Sequence, residues 1–135
     1  MDRQSRQIVI GRKITPVEPQ LTPRELASRE LEKLWRDEAT REDVKIFYVR
    51  LTAIVRKYIE GTTGVHAPEQ TTEEFLREIG AGARFSPEER QRLKDFLESA
   101  DLVKFARFLP QSTEVQEAYE RARRFVGVAE GEPVA

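Results

Sequence analysis

Eight apolar or aromatic residues fall in one helical register between Thr40 and Gly64: Val44, Phe47, Tyr48, Leu51, Ile54, Val55, Tyr58 and Ile59. Steps of three and four residues put them on one side of an α-helix, whereas a half-buried strand would alternate. A face that wide cannot stay in water, so other elements must cover it. Burying it is worth on the order of 10–20 kcal/mol gross, at about 1.5–3 kcal/mol for each larger side chain. That sum is an upper bound, because a denatured chain already hides part of its apolar surface. Glu42 and Asp43 fall where this helix begins and suit the positive end of its dipole. Gly61 and Gly64 are expected to stop it.

The covering elements also read as helices. In 22-TPRE-25 a Thr cap, a Pro at the first helical position and a Glu at the third form a capping box. Ala27, Leu31, Leu34 and Trp35 follow on one face, and this helix should end near Glu38 or Ala39. After the loop 61-GTTGVHAPEQ-70, Thr71 and Glu74 open a helix over 71-TTEEFLREI-79, which 80-GAGA-83 breaks. The pattern 86-SPEE-89 repeats the cap, and Leu93, Phe96, Leu97 and Ala100 follow as an inward face. A last helix starts near Ser112 or Thr113 and turns Val115, Ala118, Tyr119, Ala122 and Val126 inward, with Phe125 at its edge. The fold class is therefore all-α, a compact orthogonal bundle of five to six short amphipathic helices over residues 22–126. Residues 1–21 read as a flexible, basic, Pro-containing linker, in which 7-QIVIG-11 has strand character but no evident partner strand. Residues 127–135 read as a disordered tail.

The stretch 100-ADLVKFARFLP-110 mixes cations with apolar residues. It either continues the preceding helix or forms a short one of its own, and Pro110 stops it. Leu102, Phe105, Ala106 and Leu109 share a helical face at i, i+3, i+4 and i+7, which predicts core. On that reading Phe105→Ala costs about 3–5 kcal/mol. Lys104 and Arg107 then flank the packed face, and Asp101 is placed to pair with Lys104.

Composition removes several kinds of chemistry. The 135 residues include no Cys, which excludes disulfides, thiolate metal sites and thiol catalysis. A net charge of −1 argues against strong general affinity for nucleic acid. The charge is uneven: residues 1–24 carry Arg3, Arg6, Arg12, Lys13 and Arg24 against Asp2 and Glu18, a net of +3 that leaves −4 for the rest. That cluster is either a solubilising segment or one placed against anionic lipid. No apolar run approaches the roughly 18 residues that span a bilayer, and the N-terminus lacks the apolar stretch of a signal peptide.

Candidate sites are few. His66 is the single histidine, with Glu69 nearby, and one imidazole with a loose carboxylate makes a poor zinc set. A hydrolytic enzyme centred on His66 and Glu69 is one alternative. The carboxylate pairs Glu73/Glu74 and Glu88/Glu89 point about 100° apart on a helix and fit capping better than a shared proton. A helix-turn-helix regulator is another alternative, but its reading helix would be TTEEFLREI, whose three glutamates and one arginine repel phosphate. No cofactor or metal is assigned.

Taken in order, 23-PRELASRELEKLW-35, 47-FYVRLTAIVRKYIE-60, 64-GVHAPEQTTEEFL-76, 100-ADLVKFARF-108 and 119-YERARRFV-126 resemble the C-terminal cytosolic domain of BatD-like proteins. These are bacterial membrane proteins of aerotolerance-type (Bat) operons, and the resemblance covers about residues 22–126. It implies a domain that follows a single transmembrane helix and lies in the cytoplasm, opposite a periplasmic region of β-sandwich type. It also implies a setting with a MoxR-type AAA+ ATPase and von Willebrand factor A domain proteins, and a module for assembly or chaperone-like work with no catalytic residues to carry over. The chain departs from the pattern in having no membrane helix or periplasmic part, and in placing His66 where that loop usually has Pro. The expected function is a non-catalytic protein-interaction module at the inner face of the cytoplasmic membrane, with Lys104, Arg107 and Phe108 as contact residues.

Overall fold

The long apolar face becomes α3 (Val44–Thr63), and α1 (Pro23–Arg36), α2 (Glu38–Glu42), α5 (Pro87–Phe105) and α6 (Ser112–Phe125) pack around it. α4 (Thr72–Gly80) packs on α5. The computed structural model describes residues 21–64, 70–80 and 85–127, together with the backbone of residues 7–10 and 13–16. Within them the chain is an all-α bundle of six helices with one added hairpin.

Paired contacts fix the direction of α1 against α3. Pro23 lies against Gly61, Glu30 is 4.0 Å from Lys57, and Asp37 is 3.8 Å from Arg50. Partners that advance on one helix retreat on the other, so the two run antiparallel. The exposed ion pairs mark this register but contribute little energy. Gly61 therefore does not end α3; it lies inside the helix, where a Cβ would sit 3.0 Å from the Pro23 ring. The helix ends at Gly64, whose φ of 80° makes it the left-handed cap. Gly61→Leu should push α1 off α3 and cost about 1–3 kcal/mol, read as a lower denaturation midpoint at unchanged m-value.

Three capping boxes form as the sequence predicts, on Thr22, Thr71 and Ser86. One helix was not visible in the pattern. Asp37 ends α1 with its N–H on Leu34 O and starts α2 by accepting from the Thr40 N–H (3.3 Å) and the Thr40 hydroxyl (2.7 Å). Those two bonds hold the Asp37 carboxyl below the ordinary aspartate range. α2 is too short to show an apolar stripe, and Asp43, expected inside the following helix, is instead its N-cap.

The segment read as a linker also holds regular structure. β1 (Gln7–Ile10) pairs antiparallel with β2 (Lys13–Pro16), with Gln7 opposite Pro16 and Ile10 opposite Lys13. The partner strand is the next one along the chain, and only Gly11 and Arg12 separate the two in sequence. A Gly-X pair between two short apolar runs is a hairpin signal.

The α3 stripe packs as expected: six of its eight members are buried, and Val44 and Tyr58 pack against the core at its edge. At one end Trp35 stacks on Tyr119 (centroids 4.5 Å, 24°) and meets Phe47 edge-on (6.1 Å, 69°). The Tyr119 hydroxyl crosses from α6 to donate to the Leu31 carbonyl (2.9 Å). Burial raises the phenol pKa of Tyr48, Tyr58 and Tyr119. A phenol that ionises later in the folded than in the unfolded chain gives stability that is intact below pH about 10 and lost as pH rises beyond it. Lowered pKa values at Lys104 and Arg56 act in the opposite direction. The melting temperature should fall as pH rises above about 10, less steeply in Tyr119→Phe, and an equally steep fall in that variant would refute the assignment.

Candidate functional site

α5 carries Leu93, Phe96, Leu97, Ala100 and Val103 into the core. Continued in phase, that stripe reaches Lys104, four residues after Ala100. The Lys104 side chain is only 15% exposed. Its Nζ donates to Thr52 Oγ1 (3.3 Å), lies 3.8 Å from Asp101 Oδ1 and sits 5.3 Å from the centre of the Phe105 ring. Thr52 is buried on α3 and passes its own hydroxyl hydrogen to the Tyr48 carbonyl (2.9 Å). Desolvation lowers the Lys104 pKa, Asp101 opposes that, and nearby Arg56 adds to it. Lys104 is thus a packed cation that ties α5 to α3, with its alkyl stem covering apolar surface.

The core expected at Leu102, Phe105, Ala106 and Leu109 is a misreading. Leu102 is 53% exposed, Phe105 76% and Leu109 81%, and Ala106 is exposed as well. The physical reason is the end of the helix. α5 stops at Phe105, Arg107 takes a left-handed φ of 59°, and the Phe108 N–H turns back to the Leu102 carbonyl (3.1 Å). Beyond that turn helical spacing no longer assigns a face, so Leu109 shares no face with Leu102. Phe108 is 46% exposed, and Arg107 projects from the turn. Of the three residues expected to contact a partner, Arg107 and Phe108 are accessible, whereas Lys104 supports the surface from beneath. Leu102, Phe105 and Leu109 complete the surface and were missed, because an apolar residue at helical spacing reads as core when the helix end is not located.

The other candidates separate cleanly. His66 and Glu69 lie outside the described residues. Glu74 caps Thr71, whose backbone and side-chain hydrogen bonds lower its pKa, and Glu73 pairs with Arg77 (3.2 Å). Glu89 caps Ser86. Arg56 donates to the Gln70 carbonyl (2.7 Å) and to Thr72 Oγ1 (3.3 Å) and lies over the Phe75 ring, so it fastens the start of α4 to α3. Among the described residues no group of three His, Asp or Glu is arranged to hold a metal ion, and no helix is long and apolar enough to cross a membrane.

No protein-family model, curated protein or solved structure matches the chain.

Proposed function

We propose that this chain is a non-catalytic protein-interaction module that docks a protein partner through the C-terminal end of α5. The observation that carries the reading is the exposure of Leu102, Phe105, Phe108 and Leu109 beside the projecting Arg107. Single exposed apolar side chains need no explanation, but a local concentration of large ones marks a surface that binds. Aromatic and arginine side chains are also the residues that most often dominate binding energy at an interface. The resemblance to BatD-like cytosolic domains supplies the setting. The partner is then a MoxR-type AAA+ ATPase or a von Willebrand factor A domain protein, in an assembly or chaperone-like system at the inner face of the cytoplasmic membrane. The basic residues before α1 fit that placement, since anionic lipid attracts Lys and Arg at roughly 1 kcal/mol each.

The test is a pull-down of purified ATPase and A-domain proteins by the full chain. Specific capture of either is expected. Retention of neither at micromolar concentration would remove the reading.

A further inference from the structure

The hairpin stands apart from the helices. Among the described residues β1 and β2 pack on each other, and no helix packs on either strand as α1 and α5 pack on α3. A two-stranded hairpin by itself is marginally stable in water, and a third strand or a packed face is needed to hold it. The register also spreads apolar residues over both faces. Val9 pairs with Ile14 on one face. The pairs on either side of it, Ile8 with Thr15 and Ile10 with Lys13, fall on the other, because successive residues of a strand alternate. The hairpin is thus a thin ribbon with branched apolar residues assigned to each face.

The charge of the same segment has a single sign. Residues 3–17 hold Arg3, Arg6, Arg12 and Lys13 and no Asp or Glu, whereas the chain from residue 25 onward carries a net of −4. An anionic surface attracts this segment and repels the helices that follow, so charge both selects the occupant and orients the chain on it. Nucleic acid, an acidic protein and an anionic membrane all carry that charge. Single-stranded nucleic acid asks for rings on which bases stack, and residues 3–17 contain no aromatic residue. A duplex is read by polar side chains, whereas β1 and β2 are built largely from Ile8, Val9, Ile10 and Ile14. A protein surface covers one face of a ribbon and leaves the other in water. A membrane interface closes around both, and offers phosphate to the cations and acyl chain to the Ile and Val residues.

We propose that the β1–β2 hairpin is a lipid-contact element that beds into the interface of an anionic membrane. Arg3, Arg6, Arg12 and Lys13 meet headgroup phosphate, and Ile8, Val9, Ile10 and Ile14 enter the boundary between headgroups and acyl chains. Apolar insertion and a basic cluster are two signals, and together they hold a chain at a membrane reversibly where either alone is marginal. This deepens the placement at a membrane face in the reading above, names the element and the lipid class responsible, and is independent of docking at the end of α5.

The experiment floats the full chain with vesicles of phosphatidylcholine alone and with vesicles that also contain phosphatidylglycerol. The anionic vesicles should bind at least about tenfold more tightly at low salt, and less so as salt is raised. Arg6→Gln/Arg12→Gln/Lys13→Gln should abolish that preference. Ile8→Ser/Ile10→Ser on one face and Val9→Ser/Ile14→Ser on the other should each weaken retention at least about fivefold. All three variants should melt like the parent, since the helices do not depend on the hairpin. Equal retention by the two kinds of vesicle, retention that survives loss of the three cations, or a loss seen for one face only overturns the proposal. Tighter binding of an oligonucleotide than of the anionic vesicles overturns it as well. Capture of the ATPase or A-domain protein without vesicle preference removes the hairpin assignment alone. Vesicle preference without capture of either protein sustains the hairpin assignment and removes the docking reading.

Discussion

Phe47→Ala should lower the unfolding free energy by about 3–5 kcal/mol, the range for emptying a buried aromatic site. Phe47 has no exposed surface and comes from the central helix. Its ring contacts Trp35 and Tyr48 edge-on at 6.1 Å and Tyr119 at 6.4 Å, so it joins α1, α3 and α6 in one aromatic cluster. Truncation removes those contacts and leaves a space that the cluster fills only partly. Small domains hold about 5–15 kcal/mol in all, so this one change takes a large share and should drop the melting temperature by about 10–20 °C. The control is Phe105→Ala. It deletes the same atoms from a side chain that is 76% exposed, and should change stability by no more than about 0.5 kcal/mol. Equal losses in the two variants would contradict the assignment of core and surface.

The second large effect is on binding and leaves folding alone. Phe105→Asp/Leu109→Asp puts two carboxylates at the most exposed large apolar side chains among the described residues. Neither residue supports the core, so the melt should stay within a few degrees of the parent. Capture of the partner should weaken at least about thirtyfold, the equivalent of about 2 kcal/mol, the scale of an interface hot spot. Surface titration measurements on the parent and the variant check this. A variant that folds normally and binds as well as the parent would place the docking surface elsewhere.

The helices were legible because their signals are local and redundant. A capping residue, a Pro or Glu in the first turn and an apolar stripe agree at 22-TPRE-25 and at 86-SPEE-89, and both helices start there. Where the apolar stripe is missing, the reading fails. α2 has a cap in Asp37 but no room for a stripe. Gly61 carries a helix-stopping signal, yet tertiary contact with Pro23 gives it another use. The surface at the end of α5 was misread for a related reason. Leu102, Phe105 and Leu109 have helical spacing among themselves, but their phase differs from that of Leu93, Phe96, Leu97 and Ala100. Extending the established stripe points to Val103 and Lys104, the two residues that turn inward. The left-handed turn at Arg107 has no sequence mark, because a non-glycine residue occupies it.

The docking site proposed for a protein partner is the end of α5. Amide hydrogen exchange of the full chain, free and in complex with the captured ATPase or A-domain protein, reads this directly. Exchange should slow over residues 99–110, with α1 and α2 unchanged. Protection confined to α1 and α2, with residues 99–110 exchanging as in the free chain, would contradict it.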